Sequence, residues 1–452
     1  MRHLPRSTRF RFASRRAGSL LPALVLALVA VLGGAALVID RLALDTAKSE
    51  LRIAAEASAL AAARELANDD RLRPDFDHAA LCQKARFAAA RIAAENLVAG
   101  EPLTLTTDPT GDVRFGRLIN DPTTGEPIFV EADTADADHE PTSVAVAARR
   151  TEARQSGVPL PFRAFYAPTE ADVAAVAEAS LNFHVLGLRS VDRLPIPTLP
   201  LAILAQPNLG QSNAKDRGPL PDGRGSNVRG SNLRGSNRQS DGASSKPRQP
   251  SASIIPSAPS WNRDIEQRHG SDHFGFDVTS GEVTNQADGI PEITLRTATL
   301  TNSSKSNAFI LSLAADLSEE NLRQQISQGW SADELDPVGG ELLFDQGPLT
   351  MTGLRGVNGN VLASALRKLV GQSRVVFLYD RVDGDPRSHV ASLQITKMVA
   401  ARVLFVREIS ECECEIVLQP AVLATRSAVV ASDETDANCE KNKYVANLRL
   451  TN

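Results

Sequence analysis

The chain has 452 residues, a net charge of −5 and only 4% aromatic residues. This length allows about two or three domains, each with its own hydrophobic core. Six of the 49 basic residues lie in the first nineteen positions, so the rest of the chain has 43 basic and 54 acidic residues. An acidic remainder argues against general nucleic-acid binding, and so few aromatic residues argue against an aromatic-lined ligand site.

The first predicted element is an apolar segment behind an arginine-rich tail. No charged residue occurs from Leu20 to Ile39, and as a helix these twenty residues would span about 30 Å, the thickness of a bilayer's hydrocarbon core. The tail lacks acidic residues, so the positive-inside rule predicts a cytoplasmic N-terminus and export of everything after Asp40. A secretory signal cleaved after Ala36 is the alternative. The apolar cores of signals usually have about 7–15 residues, which favours an anchor.

Alanine-rich helical patterns follow. Apolar side chains recur at three- and four-residue spacing up to Asn68, and again from about Asp75 to Gly100. We expect one helix to run through the bilayer and beyond it, and a second to pack against it as an antiparallel hairpin. Small residues on these helices would also allow packing against a second copy, so a homo-oligomer through this stalk is a candidate arrangement.

Residues 101–205 change to short alternating runs between turn residues, which predicts a small β-rich domain. The expected strands are 103–107, 113–118, 128–131, 144–148 and 171–181.

The next segment, 206–260, is rich in Ser, Gly, Pro, Asn and Arg, and an Arg-Gly-Ser-Asn sequence starts at Arg224, Arg229 and Arg234. Such a composition buries too little apolar surface to offset the entropy of ordering, which predicts a disordered linker. Its eight basic residues exceed its three aspartates. Contact with an anionic polymer is therefore an alternative to a solvated spacer.

Residues 261–452 mix strand and helix patterns and predict an α+β domain. The expected strands are 274–278, 293–300, 308–315, 375–382, 391–398, 402–409 and 416–418. The expected helices are 319–328, capped by Ser318 or Asp316, and 361–370, capped by Asn358 or Asn360.

The whole chain is thus predicted to be α+β: a transmembrane helix continuing into an Ala-rich helical hairpin, then two β-rich modules separated by a disordered linker. The predicted parts are a cytoplasmic tail (1–19), a transmembrane helix (20–39), a helical stalk (40–100), a small β-rich domain (101–205), the linker (206–260) and a C-terminal α+β domain (261–452).

Three cysteines are candidates for a disulfide. Cys412 and Cys414 alternate with glutamates, which would place both sulfur atoms on one face of a strand, and either could pair with Cys439 in an oxidising compartment. Unpaired thiols are the main alternative. The Cys-x-Cys spacing does not match a structural zinc site.

Other candidate chemistry is sparse. His269 and His273 have the four-residue spacing of zinc ligands on a helix, but no third ligand is evident and a glycine intervenes. The sequence contains no Gly-x-Ser-x-Gly, His-Glu-x-x-His or phosphate-binding glycine loop. We therefore predict no catalytic, metal or cofactor site and a non-enzymatic protein. A hydrolase using these histidines or His389 is a further alternative.

A cluster of aspartates, Asp380, Asp383 and Asp385, could present carboxylates to calcium. Its spacing misses that of the EF-hand loop. Asp383 followed by glycine predicts a hairpin turn instead.

One sequence pattern points to a family. It consists of Arg15-Arg-Ala-Gly-Ser19, the unbroken apolar span, Val38-Ile-Asp40 and the alanine-rich run from Ala54 to Ala63. This pattern resembles the start of TadE/TadG-like proteins. A looser likeness extends to Leu181 through Val144-Ala-Val-Ala-Ala-Arg-Arg150 and Val158-Pro-Leu-Pro-Phe-Arg-Ala-Phe165.

The resemblance implies a bitopic protein of the bacterial inner membrane that takes part in assembly or anchoring of a Flp/Tad-type pilus or surface structure. The implied partners are other Tad/Flp or envelope proteins and the lipid bilayer, with no nucleic acid. The Asp-x-Ser-x-Ser loop of some relatives is missing, and Ala23 stands where prepilin-peptidase substrates have a glutamate. A membrane-anchored adhesin or surface-polymer binding protein is the alternative.

Overall fold

The computed structural model describes residues 20–121, 123–132, 140–160, 162, 170–206, 259–278, 280–300, 306–313, 317–431 and 440–451. The helices in these parts are α1 (Leu20–Leu66), α2 (His78–Glu95), α3 (Glu319–Gln328), α4 (Ala332–Leu335) and α5 (Gly359–Arg367). The strands are β1 (Leu97–Val98), β2 (Glu101–Pro102), β3 (Val113–Asn120), β4 (Pro127–Glu131), β5 (Ser143–Arg150), β6 (Val158–Pro159), β7 (Glu170–Ala171), β8 (Val173–Asn182), β9 (Val185–Arg189), β10 (Thr198–Leu204), β11 (Gly275–Asp277), β12 (Glu282–Thr284), β13 (Ile293–Arg296), β14 (Ala308–Ser312), β15 (Glu341–Leu343), β16 (Leu349–Leu354), β17 (Ser373–Asp383), β18 (Val390–Ser410), β19 (Glu413–Pro420), β20 (Leu423–Ala424), β21 (Ala428–Val430) and β22 (Val445–Leu450).

The long first helix is confirmed as one continuous element of 47 residues. Its second half packs against α2 and against β8 and β5. The buried residues there recur every three or four positions, which is the spacing of one helical face. They are Ala47, Leu51, Ala54, Ala55, Ser58, Ala59, Ala62, Ala63 and Leu66.

The second helix begins where the Asp77 side chain accepts hydrogen bonds from the N–H groups of Ala79 and Ala80. It ends at Glu95 and not near Gly100, because the chain then turns through β1 into β2. Ala99 and Gly100 both have positive φ in this turn.

A six-stranded sheet, in the order β20-β22-β8-β5-β3-β4, lies beneath the helical hairpin. Four of the five strands expected between residues 101 and 205 are present as β3, β4, β5 and β8. The prediction of a strand at 103–107 is wrong. That segment is irregular, although Leu103 and Leu105 are buried in the core beneath α1 and α2.

Five strands form a closed barrel in the other half of the molecule. β10 pairs with β14, β14 with β16, β16 with the first part of β18, and β18 with β17, which returns to β10. Only the β10–β17 pairing is parallel. β19 and β13 extend the sheet from the second part of β18. Closure gives each of the five strands two neighbours, so none of them is an edge of the sheet.

Helices α3 and α5 cover the barrel. The bounds of α3 agree with the prediction, and the Ser318 hydroxyl caps it by accepting from the N–H of Asn321 at 3.1 Å. Asn358 caps α5 as expected. In the core, the Trp330 and Phe377 rings stack with centroids 5.2 Å apart.

The predicted boundary between domains 101–205 and 261–452 does not match the strand pairing. β10 comes from the first predicted domain but lies inside the barrel, between β14 and β17. β22 comes from the second but pairs with β8 in the six-stranded sheet. β9 pairs with β15 and β21. The physical reason is that strands pair over long sequence separations, which a local pattern cannot show.

The predicted linker therefore does not join two separate bodies. Its flanks meet: the N–H of Asn262 donates to the carbonyl of Ala205 at 3.0 Å, and the side chain of Asn307 donates to the carbonyl of Pro259 at 3.0 Å. A single π-helical turn, Asn262–Glu266, follows. The Arg-Gly-Ser-Asn repeats lie outside the described residues.

Candidate functional site

The most distinctive feature of the structure is the first half of α1. It is a helix long and apolar enough to cross a membrane, with a mean hydropathy of 2.6 over its apolar window, none of which is buried against the rest of the chain. Leu21, Leu24 and Leu26 are 68–78% exposed. An exposed apolar surface of this size marks a site of contact with a membrane or with another protein. The structure thus contains a helix with the length and composition predicted for a membrane span.

The span is joined to the folded body without a break. The helix passes from exposed apolar residues to buried ones at Asp40 and Ala47. Arg41 and Asp45, and then Arg52 and Glu56, form ion pairs one turn apart on its solvent side. Because the buried face of α1 after Ala47 is covered by α2 and the sheet, that face is not available to a second copy. The expectation of a homo-oligomer through the stalk is limited to the remaining surface of α1.

A cleft of about 550 Å³ lies beside the barrel, where β17 and β18 meet β9 and the segment before β22. Trp261, Leu378 and Met398 form part of its apolar lining. Two ion pairs lie at the cleft: Lys443 contacts Glu266 at 3.1 Å, and Lys397 pairs with Glu440. The Tyr444 hydroxyl donates to Glu266 at 2.6 Å.

Carboxylates, lysines and Tyr444 are the titratable groups on the described lining of the cleft. Its described lining contains no histidine, cysteine or serine. Burial raises the pKa of the Tyr444 phenol, and the hydrogen bond to Glu266 raises it further, so this hydroxyl stays protonated at neutral pH. The Tyr379 phenol, buried elsewhere in the barrel core, also has its pKa raised by burial.

The candidate histidines lie in irregular structure. His269 and His273 lie between the π-helical turn and β11, so they do not share a helical face. The backbone N–H of His273 donates to Glu292, a buried carboxylate. Among the described residues no group of three or more His, Cys, Asp and Glu side chains could hold a metal ion. His389 lies in the loop before β18, with its Nδ1 3.4 Å from the carbonyl of Arg355.

The aspartate cluster forms the predicted hairpin. β17 ends at Asp383 and pairs with β18 across the connecting loop. Asp383 pairs with Arg381, and Asp385 accepts from the N–H of Arg387 at 2.9 Å. Gly384 has φ +121°, a conformation that favours glycine.

Cys412 and Cys414 differ in burial and in secondary structure. Cys412 is exposed in the turn between β18 and β19, whereas Cys414 is buried inside β19. The expectation that both lie on one strand face is wrong, because the strand begins only at Glu413. Burial raises the pKa of the Cys414 thiol to about 12, which leaves little thiolate at neutral pH. Cys439 lies outside the described residues, so the disulfide stays a prediction.

Two structural contacts escaped the sequence reasoning. Asp40 accepts a hydrogen bond from the backbone of Phe162, and Asp69 pairs with Arg402. Each joins residues more than a hundred positions apart, and no local pattern marks such pairs. Comparison with known families, curated proteins and solved structures gave no match to this chain.

Proposed function

We propose that this chain is a non-enzymatic, single-pass protein of the bacterial inner membrane, TadG-like, that acts in assembly or anchoring of a Flp/Tad-type pilus or related surface structure. The observation that carries the proposal is the division of α1. Its first half is exposed and apolar, and its second half is the central helix of a folded body. The arginine-rich tail orients this body to the outside of the membrane.

The proposed mechanism is positioning. Because α1 is continuous and its second half is fixed against α2, β5 and β8, any tilt of the span in the bilayer moves the whole body. Partners in the envelope would therefore meet the body at a height above the membrane that α1 sets. The resemblance of residues 15–63 to the start of TadE/TadG-like proteins supports the choice of a pilus or surface assembly.

The proposal is tested by deleting the gene and restoring it in two forms. One form is the full chain, and the other replaces residues 20–39 with a cleavable secretory signal, so that the body is exported but released. We expect only the anchored form to restore surface filaments counted by electron microscopy and attachment of cells to a surface. Full restoration by the released body would contradict positioning, and unchanged filaments after deletion would contradict the pilus role.

A membrane-anchored adhesin or surface-polymer binding protein is the second candidate. The observation that favours it is the excess of basic residues in 206–260, which contains eight Lys and Arg against three Asp. The flanks of this segment meet where Ala205 is hydrogen-bonded to Asn262. Deleting residues 220–238 removes the Arg-Gly-Ser-Asn repeats without separating these flanks. A loss of affinity for an anionic surface polymer is expected under this candidate, and unchanged affinity would count against it.

A further inference from the structure

The β6–β7 hairpin meets α1 where the apolar span ends. β6 and β7 pair through Val158 with Ala171 and Pro159 with Glu170. Between them, the backbone N–H of Phe162 donates to Oδ1 of Asp40 at 3.2 Å. No charged residue precedes Asp40 in α1, whose first twenty residues would span about 30 Å. If those residues cross a bilayer, Phe162 lies beside the helix at the boundary between hydrocarbon and headgroups.

The burial around Asp40 indicates that the chain covers the helix at this level. Asp40 is only 4% exposed, although its neighbours Ile39 and Arg41 are exposed. One turn earlier, Ala36 is half-buried, whereas the other residues from 21 to 39 are exposed. The cover therefore reaches into the last turn of the apolar span.

The carboxylate at this position has an unusual environment. One oxygen accepts from Phe162, while Oδ2 is buried and has no hydrogen-bond partner among the described residues. A buried carboxylate oxygen without a donor costs free energy.

We propose that Phe162 rests in the interfacial layer of the bilayer and that Asp40 holds it there as a positioning residue. The inference depends on the proposed function only in requiring α1 to span a bilayer. Apolar aromatic side chains are favourable in this layer. Asp40 accepts a hydrogen bond from the backbone N–H of Phe162 and so keeps this residue beside α1.

The consequence is a second attachment of the body to the membrane. A single helix can tilt and rotate in a bilayer, and interfacial aromatic anchors are among the features that set its tilt. With the Phe162 contact beside the helix, tilt of α1 away from that side would pull Phe162 out of the interface. The contact thereby limits the tilt of the body relative to the membrane surface.

The test uses Phe162→Trp in the full chain, placed in nanodiscs made with brominated or unbrominated phosphatidylcholine. Bromine on the acyl chains quenches tryptophan at close range. The native Trp261 and Trp330 are 1% and 0% exposed, so the wild-type chain supplies the background. We expect brominated lipid to reduce the emission of the variant more than that of the wild-type chain.

A matched control places tryptophan far from the membrane. Val278 is 59% exposed and lies two residues after Phe276. The ring of Phe276 packs against Arg402, and Arg402 pairs with Asp69. Asp69 follows the far end of α1, whose last residue is about 39 Å along the helix from Asp40. Val278→Trp should therefore show only background quenching. Equal quenching of the two variants would overturn the proposal.

The role of Asp40 is tested in the Phe162→Trp background. Asp40→Ala removes the acceptor and should lower the quenching, whereas Asp40→Asn keeps an acceptor oxygen and should retain it. Quenching unchanged by Asp40→Ala would overturn the positioning role. If tryptophan is not tolerated, p-benzoylphenylalanine at position 162 should crosslink to lipid on illumination, and the absence of a lipid adduct would overturn the interfacial contact.

Entry into nanodiscs is measured on the same samples by size exclusion. A chain that does not enter would contradict both the membrane anchor and the Phe162 contact. A chain that enters without quenching at position 162 would contradict the Phe162 contact alone.

Discussion

At the scale of single residues, one buried ion pair joins the helical hairpin to the barrel. Asp69, just after α1, pairs with Arg402 on β18, and its other oxygen accepts from the N–H of Val422 at 2.6 Å. Arg402 also donates to the carbonyl of Gly371 at 2.6 Å and lies over the ring of Phe276. Both charged side chains are about nine-tenths buried, so removal of either leaves the other unpaired.

We predict that Asp69→Ala and Arg402→Met each lower the free energy of unfolding by about 3–5 kcal/mol, the usual cost of breaking a buried pair. The double variant should lose less than the sum, because no charge is left alone. The reference is Glu131→Ala, whose partner Arg114 lies 3.3 Å away with both side chains 53% exposed. That change should cost below about 1 kcal/mol. Urea unfolding of the full chain in detergent measures all four, and additive losses would contradict the pairing.

A second residue-scale prediction concerns pH. Burial alone would raise the pKa of Asp112, but hydrogen bonds from Arg154 at 2.7 and 2.8 Å and from the N–H of Thr106 at 2.9 Å outweigh it and lower that pKa. A carboxylate whose pKa is lowered by folding stabilises the protein at pH values above its pKa in the unfolded chain, which is about 3.9. This stabilisation is lost as the pH falls through the pKa of the folded state.

Asp112→Asn should therefore destabilise the protein at pH 7, by about 2 kcal/mol for a charge-assisted hydrogen bond. The difference from the wild-type chain should begin to shrink below about pH 4, where the carboxyl of the unfolded wild-type chain becomes protonated, and it should be lost as the pH falls through the lowered folded pKa. The midpoints of urea unfolding, measured for both chains at pH 7 and at a pH below about 4, test this. An equal difference at both pH values would contradict the assignment.

At the scale of elements, alanines set the distance between α1 and α2. Ala89 on α2 is fully buried in the core beneath α1, whereas Ala94 on the same helix is exposed. Ala89→Leu should lower the free energy of unfolding by about 1–3 kcal/mol through overpacking. Ala94→Leu, the same change on the exposed side, should stay within about 0.5 kcal/mol. Similar losses from both would show that close helix packing is not the cause.

Elements with a strong local period were predictable. The 3.6-residue spacing in α1 and the N-terminal cap of α3 correspond to helices found at those positions. β10 escaped prediction because it contains Pro200 and follows a proline-rich stretch, which argues against a central strand. β18 was expected as two strands, yet it is one strand of 21 residues that pairs in turn with β16, β17 and β19.

The site was predictable only in part, for the same reason. The apolar span is a contiguous run of residues, so length and charge alone indicate it. The contact of Asp40 with Phe162 joins residues 122 positions apart, and that of Asp69 with Arg402 joins residues 333 apart. Such contacts depend on the order of strands in the sheets. A single sequence carries no local signal for that order.

At the scale of the whole molecule, the described parts on both sides of residues 207–258 share their sheets, so they do not form two separate domains joined by a linker. The flanks of residues 207–258 are already held together by the bond from Asn262 to Ala205. Replacing 207–258 with eight Gly and Ser residues should leave the fold intact. By loop-closure entropy it should raise the free energy of unfolding by up to about 1.6 kcal/mol.

Thermal unfolding of the replaced and wild-type chains measures this difference. Residues 40–205 expressed alone provide a complementary sample, since they lack β22 and would leave β10 without its barrel partners. We expect that fragment to be unfolded or aggregated. Loss of the fold in the shortened chain, or an independently stable fragment, would contradict the interleaved architecture.

The central claim is that α1 anchors the chain in the inner membrane with the body outside the cytoplasm. The direct measurement combines carbonate extraction of membranes with protease added to spheroplasts, followed by detection of tags at each end of the chain. The account predicts that carbonate leaves the protein in the membrane, that protease removes the C-terminal tag and that the N-terminal tag is protected. Release by carbonate, or a C-terminal part shielded from protease, would contradict it.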